Sequence, residues 1–270
     1  MSKWFWFIVL PQLLLTSACE KSSPVFNDST QLQRFKLPIE LRETSGLAVL
    51  NTSELLAVGD ETATVFRINL DTEQVQVLFS LGEPVITADF EGLAVAGKDV
   101  WLVTSKGMLY RVIDGLSGGQ KPRFEVLRTR LKKRCEVEGL AYDNARFLLA
   151  CKTNFQKQTR DQLMVYSWTP GDHRAEVFLA APLANQGGFH RFEPSGLSIQ
   201  DDILHVVAAG LKTRLAINRS GALVRAVSLV GHPQAEGIEI MPDGSIVIAD
   251  EGKNRSARIS PYSPASSANE

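Results

Sequence analysis

The sequence predicts an all-β, five-bladed β-propeller, and three observations lead there. A phrase of acid or serine, then glycine, then a branched apolar residue recurs five times. The segments between copies break into short strand-like runs. One strand is missing at the end of the chain and present at its start. The copies are Thr44-Ser45-Gly46-Leu47, Phe90-Glu91-Gly92-Leu93, Val137-Glu138-Gly139-Leu140, Pro194-Ser195-Gly196-Leu197 and Ala235-Glu236-Gly237-Ile238. Their glycines lie 46, 47, 57 and 41 residues apart, the period of a four-stranded blade. Two places before each acid or serine stands another side chain with an acceptor group: Glu43, Asp89, Glu136, Glu193 and Gln234.

At 270 residues and 44% hydrophobic content, the chain can bury one large core, and all-β folds of this length are commonly one domain. A net charge of −1 leaves no basic footprint, so nucleic acid is not an expected partner.

The N-terminus differs from the rest. Lys3, an apolar run from Trp4 to Leu15 and then Thr16-Ser17-Ala18-Cys19 make a secretory signal too short to span a membrane. The stretch resembles a bacterial lipobox, with residues 1–18 as signal peptide and Cys19 as the lipidated first residue, although Thr16 stands where that pattern prefers leucine. The alternative is an ordinary signal cut near Ala18. By resemblance to other bacterial lipoproteins, Glu20 implies sorting to the outer membrane. The chain is therefore expected in the cell envelope, facing the periplasm and held to the membrane by its acyl anchor. Residues 19–31, with Lys21-Ser22-Ser23-Pro24, suit a flexible tether.

From residue 32 the apolar pattern has strand rather than helix periodicity. The first cycle gives strands at 46–50, 55–59, 64–69 and 74–79. The second gives 92–96, 100–104, 108–113 and 123–127. The third gives 139–142, 147–151, 162–168 and 174–179, and the fourth 196–199, 203–208, 214–217 and 223–228. The fifth holds only 237–240, 245–249 and 257–260. A blade without its outer strand leaves an exposed edge, and residues 32–37 are predicted to fill it. The propeller then spans 32–260, with 261–270 a Ser/Ala-rich disordered tail. Six blades are the alternative, but the longest interval exceeds its neighbours by only about ten residues, too few for a blade. Insertions at 152–161 and 181–193 account for the excess.

Cys135 and Cys151 flank a predicted hairpin turning at Asp143-Asn144-Ala145-Arg146. In an oxidising compartment this favours a disulfide. Two buried free thiols are the alternative, since a one-residue register slip separates the pair.

In consecutive antiparallel strands, the start of the first and the end of the second share one end of the sheet. Ser45, Glu91, Glu138, Ser195 and Glu236 should therefore ring the channel mouth, joined by Asp60, Glu61, Asp250 and Glu251 from the second-strand ends. Crowded carboxylates raise each other's pKa unless a cation compensates. Calcium accepts such a mixture of oxygen ligands, which makes Glu91, Glu138, Glu236, Asp250, Glu251, Asp60 and Glu61 metal candidates. Zinc fits less well, because His173, His190, His205 and His232 are scattered. Lys106, Lys152, Arg134 and His190 are candidates for holding an anion. The competing explanation is structural: an acid before glycine can accept hydrogen bonds from the next blade's backbone. No phosphate loop and no Gly-x-Ser-x-Gly elbow occurs.

The phrases His232-Pro233-Gln234-Ala235-Glu236-Gly237-Ile238 and Pro242-Asp243-Gly244-Ser245-Ile246-Val247-Ile248-Ala249-Asp250-Glu251 resemble the SdiA-regulated (YjiK- and CarP-like) family of β-propellers. Thr44-Ser45-Gly46-Leu47-Ala48, Asp89-Phe90-Glu91-Gly92-Leu93 and Val137-Glu138-Gly139-Leu140-Ala141-Tyr142 match its earlier repeats. The resemblance implies a periplasmic or membrane-associated propeller with calcium association and no agreed enzymatic activity. It carries a metal-site role to Glu236, Glu138, Glu91, Asp250 and Glu251, while Ser45 and Ser195 depart from a symmetric acidic ring. The expected function is cation binding at the mouth in a binding or sensing role, by a monomer that takes a small molecule or protein there. A calcium-dependent phosphoesterase similar to phytase-type propellers, with metal-bound water as nucleophile, is the second reading. A non-catalytic envelope scaffold is the third.

Overall fold

A computed structural model describes residues 31–264; the signal, Cys19, the tether up to residue 30 and the last six residues lie outside them, while Gln31 at the tether's end already bridges to Tyr262. β1 (Phe35–Lys36) stands apart from the first blade, which comprises β2 (Thr44–Val49), β3 (Glu54–Gly59), β4 (Thr64–Asn69) and β5 (Val75–Ser80). The second blade is β6 (Phe90–Ala96), β7 (Asp99–Thr104), β8 (Met108–Val112) and β9 (Phe124–Arg128). The third is β10 (Cys135–Asp143), β11 (Arg146–Asn154), β12 (Leu163–Trp168) and β13 (Glu176–Ala181). The fourth is β14 (Gly196–Gln200), β15 (Ile203–Ala208), β16 (Thr213–Asn218) and β17 (Leu223–Ser228). The fifth contains β18 (Ala235–Ile240), β19 (Ile246–Asp250) and β20 (Arg258–Tyr262), with β1 as its outer strand. All pairings are antiparallel.

The chain is thus a five-bladed β-propeller. The long third interval holds a short helical turn, Ala184–Gly187, and no further sheet. The final strand runs past the expected boundary at Ser260 to Tyr262, where Pro261 pairs with Val247. Pro261 cannot donate to a ladder, but its carbonyl accepts Leu32 N–H at 2.9 Å, as suits the edge side of a strand.

Each blade buries apolar side chains against the next, giving five separate cores. Leu56 and Val58 meet Leu93 and Leu102 between blades one and two. Trp101 and Val103 meet Leu140, Phe147 and Trp168 between two and three. Leu148 and Val165 meet Leu197 and Val206 between three and four. Val207 meets Ile238 and Ile248 between four and five, and Leu47 and Phe66 meet Val247 and Ile259 across the closure. Cys135 and Cys151 form a disulfide joining β10 to β11, with Cα atoms 5.7 Å apart.

The repeated glycines face the neighbouring inner strand at close range. A Cβ on Gly46 would lie 2.7 Å from Gly92 Cα, and one on Gly196 would lie 2.9 Å from the Glu236 carbonyl. Any side chain there would push two blades apart.

A polar cluster reinforces the closure. His232 Nδ1 bonds to Asp250 at 2.7 Å, and its Nε2 bonds to the Tyr262 hydroxyl. His232 and Asp250 are each 1% exposed, so neither can turn to water. Removing the hydroxyl in Tyr262→Phe should cost about 1 kcal/mol, or roughly 2–4 °C in Tm. His232→Ala leaves a buried carboxylate short of its donor and should cost about 1–3 kcal/mol. Thermal melts of both variants check this, and an unchanged Tm for Tyr262→Phe would assign closure to strand pairing and apolar contact alone.

Candidate functional site

The repeated phrase folds as a β-bulge at the start of each of four first strands. Thr44 and Gly46 pair with successive residues of β3, which leaves Ser45 as the extra residue. Glu91 is extra between Phe90 and Gly92, and Glu236 between Ala235 and Gly237. Glu138 falls within the irregular stretch between Val137 and Leu140. A bulge bends the strand and re-aims one side chain, and here it directs the residue before glycine into the channel mouth.

These side chains line a cavity of about 170 Å3 that also receives Glu43, Asp60, Lys152, Glu251 and Lys253. At its centre Lys152 Nζ lies 2.8 Å from Glu138 Oε1. Glu138 is 4% exposed. Burial, opposed by the Lys152 bond, leaves its carboxyl above the usual range. Burial and the charges of Glu138 and Asp89 raise Glu91 as well. Glu236 is pushed up to about 7, chiefly by burial, although it accepts from Gln234 Nε2. Burial works against the Lys152 ammonium, but its bond to Glu138 and the charges of Glu138, Glu236 and Glu91 outweigh this and raise its pKa. The inner mouth therefore contains one built-in cation facing three carboxyl groups.

At the outer rim Arg42 pairs with Glu43 at 3.1 Å, but no such bond reaches Asp60 Oδ1. Asp60 is pushed up to about 6, first by burial and then by Glu43, Glu61, Glu251 and Asp89. Its Oδ1 is buried without a hydrogen-bond partner.

Of the seven metal candidates, the structure brings Glu91, Glu138, Glu236, Asp60 and Glu251 into one cavity. Asp250 is a correction: β19 ends with its side chain turned inward to His232, where it serves the closure. Glu61 is a second correction, since it is exposed and lines a neighbouring cleft with Ile39 and Phe66, acting on the mouth only through its charge on Asp60. Among the anion candidates only Lys152 lines the mouth. Lys106 and His190 are exposed outside it. Arg134 donates to the Ala175 carbonyl at 3.0 Å and stacks over Tyr166. Of the ring's two serines, Ser195 Oγ donates to the Ala235 carbonyl of the next blade at 2.6 Å, an interblade bond in which the ring residue is the donor, the reverse of the acceptor role given to the acids by the competing explanation. Lys253, which sequence reasoning missed, carries no signal beyond its place after Asp250-Glu251.

Among the described residues no three acidic, imidazole or thiol side chains converge on a single metal position. The donors are nonetheless all oxygen, and an orphaned carboxylate oxygen stands among them, which matches a hard cation with loose coordination rather than zinc.

No family model and no curated protein sequence matches the chain. Solved structures do match. Myxococcus xanthus glutaminyl cyclase superposes with a TM-score of 0.60 at 16% identity, over 87% of this chain and 95% of that one. The PQQ-bound aldose sugar dehydrogenase of Streptomyces coelicolor gives 0.55 at 13%, over 88% and 98%. A luciferin-regenerating enzyme gives 0.53 at 10%, over 88% and 96%. At such identities the likeness is one of fold alone.

Proposed function

We propose that this chain is a lipid-anchored propeller of the cell envelope, of the SdiA-regulated type, whose acidic mouth binds a divalent cation, calcium foremost, in a binding or sensing role. The observation that carries the reading is Asp60, with a buried, unpartnered Oδ1 and four acidic neighbours raising its pKa. A hard cation satisfies the oxygen and offsets the repulsion together. Asp60 and Glu251 line the same cavity and would hold it, with water completing a coordination shell that calcium leaves flexible, while Glu43 is paired with Arg42 at 3.1 Å. Bound there, calcium supplies charge compensation and, for an anionic ligand, an attachment point. Lys152 keeps Glu138 engaged on the inner side.

A calcium-dependent phosphoesterase has less behind it, because the one base lining the inner mouth, Lys152, is already held by Glu138. The anchor is supported by Thr16-Ser17-Ala18-Cys19.

Calorimetric titration of the wild type should give saturable calcium binding, weakened at least tenfold in the Asp60→Asn, Glu251→Gln double variant; absence of calcium heat in the wild type rejects the reading in favour of a scaffold. The raised carboxyls also predict a pH signature. Glu236 titrates at about 7 and Asp60 at about 6 in the folded state, against ordinary values of 4.5 and 3.8. The folded chain holds protons that the unfolded chain has released, so this stabilisation is full below those ordinary values and is lost as pH rises through 6 and 7. Without calcium, Tm should fall over that window, and millimolar calcium should flatten the fall. Finally, Cys19→Ser should abolish fatty-acid labelling and release the protein from the membrane fraction, whereas retained labelling would refute the anchor.

A further inference from the structure

The channel has a second end. Two positions beyond the repeated glycine, the five first strands carry Ala48, Ala94, Ala141, Ser198 and Glu239. These residues line a cavity of about 120 Å3, whose other walls include Val49, Val95 and Ile199. Between this cavity and the mouth the strands close to a waist of about 10 Å3 around the glycines, at the lower limit for one water. The two cavities are therefore separate.

Three blades place alanine in this ring, so packing here needs no more than a methyl group. Blade five instead presents a largely buried carboxyl group, which is costly without a partner. Blade four supplies a hydroxyl to meet it: Ser198 Oγ lies 2.8 Å from Glu239 Oε2 and accepts Ile240 N–H at 3.4 Å. Burial pushes the Glu239 carboxyl up to about 8 even though Ser198 and the Ile240 N–H favour the ionised form. No lysine, arginine or histidine lines the cavity. A hydroxyl aimed at one acid, on the two blades that break the alanine ring, is a built arrangement that leaves the carboxyl without a counter-charge when it ionises.

We propose that this cavity is a second binding site, independent of the mouth, for a small primary ammonium compound with a short aliphatic body. The ammonium pairs with Glu239, and the short carbon chain rests on the alanine methyl groups beside Tyr142. One carboxylate and one hydroxyl are too few oxygens for calcium, whereas they match a single positive charge. At about 120 Å3 against about 10 Å3 for the waist, the cavity has room for a short body of a few carbons.

The test is titration of the purified chain with n-propylammonium, 1-propanol and propionate at about pH 8.5, where carboxyl and amine are both charged, followed through alanine and valine methyl resonances. Saturable propylammonium binding is expected, with propanol at least tenfold weaker and propionate inert. Glu239→Ala gives blade five the alanine that blades one to three carry, so it should fold with an unchanged or higher Tm and lose at least tenfold in affinity; Glu239→Gln, which keeps the shape, should lose as much. Saturating calcium should leave the binding unchanged, which separates this site's fate from that of the mouth. Absence of saturable binding, equal binding of propanol, or undiminished binding by Glu239→Ala would overturn the proposal.

Discussion

The structure depends on how closely five inner strands can approach. Side chains at Gly46, Gly92, Gly139, Gly196 and Gly237 would collide with the adjacent blade, so the channel narrows to a waist only because these positions carry none. The neighbouring bulges follow from the same crowding. With the glycine fixed against the next blade, an extra residue before it releases the chain from strict alternation and turns one side chain along the channel axis. The phrase that repeats in the sequence is therefore a packing device first, and it aims acids into the mouth as a by-product of that device.

Electrostatics then distinguish the blades. Ser195, at the head of the one first strand without a bulge, instead staples two blades through its hydroxyl. Where the by-product is glutamate, burial disfavours the charge, and the molecule answers in three ways: a lysine inside the ring beside Glu138, an amide beside Glu236, and protonation of whatever is left over. Asp60 receives none of the first two. That asymmetry, more than the number of acids, separates the rim near blades one and five from the inner mouth.

Blade number, strand order and the closing N-terminal segment were legible in the sequence because they rest on period and on strand count, which survive divergence. The location of Glu91, Glu138, Glu236, Asp60 and Glu251 followed from antiparallel geometry alone. The misplacement of Asp250 and Glu61 has one physical origin: adjacent residues at a strand end point to opposite sides, and a motif does not reveal which side faces the channel. Lys152 stood among the candidates as an anion holder, but its partnership with Glu138 depends on a cross-strand contact that the bulge creates. The Ala48, Ala94, Ala141, Ser198 and Glu239 series was present in the repeats from the start. It is hidden by ordinary strand alternation until the channel shows that those five positions share one cavity.

The two-residue strand β1 joins the ring to its far end: Phe35 pairs with Ile259. Among the earliest parts of the propeller to leave a ribosome or a translocation pore, it must wait for nearly every other blade before it finds its partner. Contacts so distant along the chain form late, and until then β20 keeps an open edge for neighbouring molecules to pair with. The vulnerable interval in this protein's life is therefore the one before the ring closes, when a nascent blade five has its hydrogen-bonding groups bare, and the blade most in need of chaperone cover is the last of the five to be made.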